Sequence, residues 1–237
     1  MRYWWQFLLV LKHCLVGMTL IPAIVFAGDP LSVELPEVDI IPGATWYRMG
    51  ERMALNGVPM SVKMFTYPGR IEDVEQYYLS EMRVKGHGKL KQTRLREQVI
   101  LGYQLGEYQY SIQMQIGRGG VEGKAMVTPS ALNFKPSMKT TLPVPPRSQV
   151  LSKVESLDAG RRAETLTVNA GFDAGYVADF YLDQLTRDGW QLFSRGGNGE
   201  NSAVLSFQRG AELLQLTAKG LQGNNSRKCQ FLINWVK

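Results

Sequence analysis

The apolar positions of the chain form two helix-period stripes set among runs that alternate residue by residue. Val74, Tyr78 and Met82 recur at i, i+4 and i+8 with Tyr77 beside them, and predict an amphipathic helix beginning near Ile71. Glu72, Asp73 and Glu75 crowd its first turn and Arg83 and Lys85 its last, an order that suits the helix dipole; Gly86 is a natural stop. The pattern returns 103 residues later. Val177, Tyr181 and Leu185, with Phe180 and Leu182 alongside, make a second stripe that starts from Asp173, a good N-cap, and ends at Gly189.

Strand-like runs flank both helices. Residues 46–53 and 59–66 join across Asn56-Gly57, a pair that tolerates the positive φ a tight hairpin needs. Met60, Val62 and Met64 alternate with Ser61 and Lys63, as in a half-buried strand. Residues 99–105, 108–116 and 124–127 read as strands after the first helix. Residues 149–157 and 163–168 precede the second, and 190–194, 203–208, 212–218 and 228–236 follow it.

Laying residues 42–88 on 145–191 without a gap leaves six identities: Pro42/Pro145, Gly57/Gly160, Val74/Val177, Tyr78/Tyr181, Leu79/Leu182 and Gly86/Gly189. They fall at a proline, a hairpin glycine, the helix stripe and the helix stop, the points where a fold is decided. The expected fold class is α+β: two tandem copies of a small domain, each one helix packed on an antiparallel sheet in the order ββαββββ. The copies span residues 45–134 and 147–237, joined by a stiff proline-rich linker at 135–146 and preceded by an extended lead-in at 28–44. One helix covers one face of a sheet, so the other face is left to water or to a partner.

Residues 1–27 carry an export pattern. Arg2 and Lys12 supply a positive start, residues 15–26 are almost wholly apolar, and Val25-Phe26-Ala27 suits cleavage after Ala27. The run falls short of the roughly 20 residues a membrane span needs, so a periplasmic protein is expected, with inner-membrane anchoring as the alternative. Removing Arg2 and Lys12 from the 27 basic residues leaves 25 against 21 acidic ones, +4. A surplus that small, spread over both halves, gives no reason to expect nucleic acid. Cys14 leaves with the leader. Cys229 remains, on a run where it alternates with Phe231, Ile233 and Trp235, and reads as a buried apolar residue.

Chemistry is thin. Of two histidines, His13 lies in the leader and His87 occupies the place that Trp190 takes in the second half. No Gly-x-Ser-x-Gly elbow, histidine-rich metal set or phosphate loop is present, so no enzyme and no cofactor is expected. The best candidate site is the basic stretch Arg83, Lys85, Lys89, Lys91, Arg94 and Arg96, suited to an acidic protein or an anionic lipid or lipopolysaccharide surface. The stripe Tyr77, Tyr78, Met82, Phe180, Tyr181 and Leu185 is either core or the lining of an apolar pocket. In layout the expected arrangement resembles the paired helix-on-sheet modules of accessory proteins in bacterial outer-membrane assembly and secretion machines. That resemblance implies a non-enzymatic factor binding envelope or secretion-complex proteins through sheet edges and open faces; the alternative is a carrier of a small apolar ligand or lipid.

Overall fold

A computed structural model describes residues 28–85, 90–130, 136–221 and 228–237. The export pattern, Gly86, His87, Lys89, Lys135 and residues 222–227 between the last two strands lie outside the described residues.

After a 3-10 turn at Pro30–Ser32 the first half runs β1 (Thr45–Arg48), β2 (Arg52–Leu55), β3 (Val58–Tyr67), α1 (Ile71–Lys85), β4 (Lys91–Leu95), β5 (Gln98–Leu105), β6 (Tyr108–Gly117) and β7 (Gly120–Pro129). The second runs β8 (Ser148–Asp158), β9 (Arg161–Ala170), α2 (Ala174–Arg187), β10 (Gln191–Gly197), β11 (Ser202–Arg209), β12 (Glu212–Gly220) and β13 (Cys229–Val236). The run read as one strand at 46–53 is two, both paired with β3 and interrupted at Met49–Glu51. Asn56 and Gly57 turn the β2–β3 hairpin at φ 52° and 78°. At α2 the Asp173 carboxylate accepts from the Tyr176 N–H at 2.8 Å, and Gly189 follows the helix at φ 81°.

The strands form one sheet in the order β10-β11-β12-β13-β9-β8-β2-β3-β7-β6-β5-β4, with β1 also against β3. This overturns the expectation of two tandem helix-on-sheet domains: the fold is a single, mostly antiparallel sheet of 13 strands, with two α-helices among the described residues. The seam is the antiparallel pairing of β2 with β8, from Arg52↔Leu157 to Leu55↔Val154. Its cause is the edge problem. Taken alone, each half would expose one strand, β2 or β8, as a row of unpaired N–H and C=O groups, which templates pairing with any other free edge. Two such edges on one chain satisfy each other.

Cross-strand partners share a face, so the registers trace each face across the whole sheet. Phe65, Ala125, Ile112 and Leu101 lie on one side of the first half, under α1 with Val74, Tyr78 and Met82. Through Pro59↔Ala54↔Glu155↔Glu164 that side continues to Leu166, Ile233, Leu216 and Leu205, under α2 with Val177, Tyr181 and Leu185. Both helices therefore cover the same face. Their two apolar clusters remain distinct, and charged side chains (Lys153, Glu155, Glu164) occupy the seam between them.

The segments before each half lie on this face too. Val38 and Ile41 enter the α1 cluster, and the Tyr78 hydroxyl donates to the Asp39 carbonyl at 3.2 Å. Leu142 enters the α2 cluster, and the Tyr181 hydroxyl donates to the Pro143 carbonyl at 2.6 Å. The proline-rich stretch is thus packed down on the sheet instead of holding two bodies apart. Nearer the seam Leu31 is buried, Arg52 donates to its carbonyl at 3.2 Å, and Arg162 pairs with Asp29.

Candidate functional site

The opposite face of the sheet has a different chemistry. On β5 and β6 it presents Gln98, Gln104, Gln109, Ser111, Gln113 and Gln115. On β9, β13 and β12 it presents Thr165, Thr167, Asn169, Gln230, Asn234, Gln215 and Thr217. Some are stitched across strands: the Thr165 hydroxyl donates to Asn234 Oδ1 at 2.9 Å, and the Gln230 amide donates to Asn169 Oδ1 at 3.0 Å. Charges stand at its margins, with Lys91 on the edge strand β4 and Glu122, Asp158, Arg161 and Lys219 near strand ends. Lys124, between Met64 on β3 and Gln113 on β6, is the interior exception, and burial pushes its ammonium down to about 8.

At the centre of this face the polar rows give way to sulfur and branched apolar side chains. Val58, Leu55 and Val154 form one cross-strand row over the seam, and Met60, Met53 and Ser156 the next. Met60 and Val62 are 7% and 2% exposed, yet neither belongs to the clusters under the helices. The β3 alternation read from the sequence is real, but the side bearing Ser61, Lys63 and Phe65 faces the helices. Lys63 is accommodated there because the lead-in supplies partners: the Val38 carbonyl at 2.8 Å and Glu37 at 2.5 Å.

The basic stretch does not assemble into one field. Arg94 and Gln92 point to the helix face and bond to the buried Glu75 of α1, Arg94 at 2.6 Å. Lys85 is held by Asp39 and Glu81, both at 2.6 Å, which raises its pKa. Lys91 faces the other side of the sheet, Arg96 sits in the β4–β5 turn at φ 53°, Arg83 is exposed on α1, and Lys89 lies outside the described residues. Of the aromatic stripe, Tyr78, Met82, Tyr181 and Leu185 are buried core, with Tyr77 and Phe180 packed against them. Burial raises the pKa of both buried tyrosines, whose hydroxyls bond to backbone. A cleft of about 250 Å³ lies elsewhere, at the β1–β2 break beneath Val33–Leu35, with Arg48, Arg52, Met53 and Met60 in its wall.

Cys229 is fully buried in the α2 cluster with Phe231 and Ile233 beside it, and burial pushes its thiol up to about 11. The protonated, enclosed thiol is a poor nucleophile. Residues 28–237 should accordingly show no reaction with a thiol reagent at pH 7.5 on the minutes scale and full reaction in denaturant; prompt labelling of the folded protein would contradict this packing. Among the described residues no three His, Cys, Asp or Glu side chains group as metal ligands, and no helix is long and apolar enough to cross a membrane. The sequence reading left the face away from the helices to water or a partner without naming its residues, whose signal was present: glutamines among residues 98–115 and threonines at 165 and 167. Compared with protein-family models, curated proteins and solved structures, the chain matches none.

Proposed function

We propose that the chain is a non-enzymatic, exported binding module of the bacterial envelope, an accessory factor whose protein partner docks on the sheet face opposite the helices. The observation that carries this reading is the interior of that face, where among the described residues Lys124 is the one charge in rows of amides, hydroxyls and apolar side chains. A sheet face that meets only water is well served by lysine and glutamate. Amides and hydroxyls cost far less to desolvate than charges, and the cores of protein interfaces are depleted of charge. Among the described residues, both helices, the lead-in and the proline-rich stretch pack on the other side, so no described element lies across this face. The outer strands β4 and β10 add free edges to it.

Export rests on the leader pattern. It leads to the expectation that the mature protein is recovered from the periplasmic fraction with Gly28 at its N-terminus. The docking surface is tested by placing a photo-crosslinking amino acid at exposed Gln109 or Gln215 on the open face and at exposed Asp183 on α2, in intact host cells. Discrete protein adducts at the two glutamine positions and none at Asp183 are expected. Adducts at Asp183 alone, or at no position, would remove the reading.

A further inference from the structure

Val62 poses a packing question. It lies on the face away from both helices, and no described segment crosses over it, yet it is 2% exposed. Among the described residues, the side chains beside it on that face are those of its neighbours in the sheet. Two residues to either side on β3 stand Met60 and Met64, and directly across on β7 stands Met126. On the fourth side is Met49, whose N–H donates to the Val62 carbonyl at 2.9 Å. All four are methionine. A fifth, Met53, is the cross-strand partner of Met60. The chain has 10 methionines in 237 residues, so composition alone does not put methionine on every side of one valine.

Leucine or isoleucine would shield Val62 equally well and with better-defined rotamers. What methionine adds is a sulfur lone pair on a flexible stem. Thioethers are neutral, soft ligands that select Cu(I) and offer nothing to offset the charge of a hard divalent ion.

Register decides which sulfurs can share an ion. Directly opposed side chains start about 5 Å apart at Cβ and diagonal ones about 7 Å, distances that methionine stems can close. Met60 is the common member, opposed to Met53 and diagonal to both Met49 and Met126. Met53 leans toward the β1–β2 break: a Cβ on Gly50 would lie 3.4 Å from its Cγ and 3.8 Å from its Sδ. That brings its sulfur to the side where Met49 stands. Met64 is four residues from Met60 along an extended strand, about 13 Å, too far to serve the same ion.

We propose that Met49, Met53 and Met60 form a thioether site for one soft monovalent cation, Cu(I) or Ag(I), with Met126 at its margin. The site is independent of whether a protein docks on this face.

The test is an anaerobic Cu(I) titration of residues 28–237 against a chromophoric chelator, repeated with Ag(I) and in a Cys229→Ala background to remove the thiol. One equivalent bound in both backgrounds is expected. Met60→Leu and Met53→Leu should weaken it at least roughly 10-fold, no less than loss of an outer-sphere partner does, and Met64→Leu less than about 3-fold. These exchanges nearly conserve volume and cost under about 1.5 kcal/mol; an unchanged thermal melt confirms folding. No Cu(I) or Ag(I) uptake, uptake that vanishes with Cys229, or equal affinity in Met60→Leu would overturn the site and leave the ring as packing.

Discussion

Gly123→Ala should destabilise the protein by about 2 kcal/mol, although a glycine inside a strand is ordinarily a defect. Exchanging such a glycine for alanine normally gains about 0.5–1 kcal/mol through backbone entropy. Here the space is taken. Gly123 on β7 is the direct partner of Phe65 on β3, and a Cβ would come within 2.2 Å of Phe65 Cζ and 2.6 Å of Cε1. The ring has no easy retreat: it is 3% exposed and packs against Tyr78 at 6.2 Å between centroids, with Val74 buried in the same cluster. Forcing an extra carbon into a filled core costs about 1–3 kcal/mol, so overpacking outweighs the entropy gain and sets the sign. The check is a double-mutant cycle by urea denaturation. Phe65→Leu makes room, so in that background Gly123→Ala should be neutral or stabilising, a coupling of about 1–3 kcal/mol. If Gly123→Ala alone stabilises the wild type, the ring is not where the packing puts it.

That example shows what a sequence conceals. Local periodicity revealed both helices: the stripes at Val74, Tyr78 and Met82 and at Val177, Tyr181 and Leu185 do meet the sheet, and Asp173 caps α2. The Asn56-Gly57 hairpin was equally legible, because both residues hold positive φ. What failed depends on partners far along the chain. Alternation in β3 says that two faces differ, but not which one the helix covers. Lys63 goes inward because Glu37, 26 residues earlier, is brought to it. The cations after α1 were adjacent in sequence and so read as a patch, yet strand geometry sends Lys91 and Arg94 to opposite faces. Asp39 and Glu75 then occupy Lys85 and Arg94. The pairing of β2 with β8 was invisible for the same reason. Ala54, Glu155 and Glu164 carry no local mark of being neighbours, and the edges they join lie about a hundred residues apart. The layout likeness to paired helix-on-sheet modules rested on separate domains, and it falls with them.

The seam makes the second large prediction, because it is held by charge where the flanking regions are held by apolar packing. Lys153 on β8 is 7% exposed and its Nζ lies 2.9 Å from Glu155 Oε2. Glu155 is paired across the strands with Glu164, itself buried and bonded to the Thr140 hydroxyl of the packed-down proline stretch. Two carboxylates thus face each other on the helix side of the sheet with one cation among them. Lys153→Met keeps the stem and its packing and removes only the charge. Breaking a buried pair by deleting one partner typically costs about 3–5 kcal/mol, whereas an exposed pair rarely contributes more than about 1. Glu155 keeps some access to water, its side chain being 24% exposed, so a loss near the low end, about 3 kcal/mol, is expected. Adding Glu155→Gln to Lys153→Met should return at least half of it, since the surviving repulsion then disappears. Amide exchange should place the damage: protection should fall first in Arg52–Leu55 and over residues 154–157, where the halves join, and least in β5–β6 and β11–β12. A loss under about 1 kcal/mol with no recovery from the second change would mean that Lys153 is solvated in solution and that backbone pairing alone holds the seam.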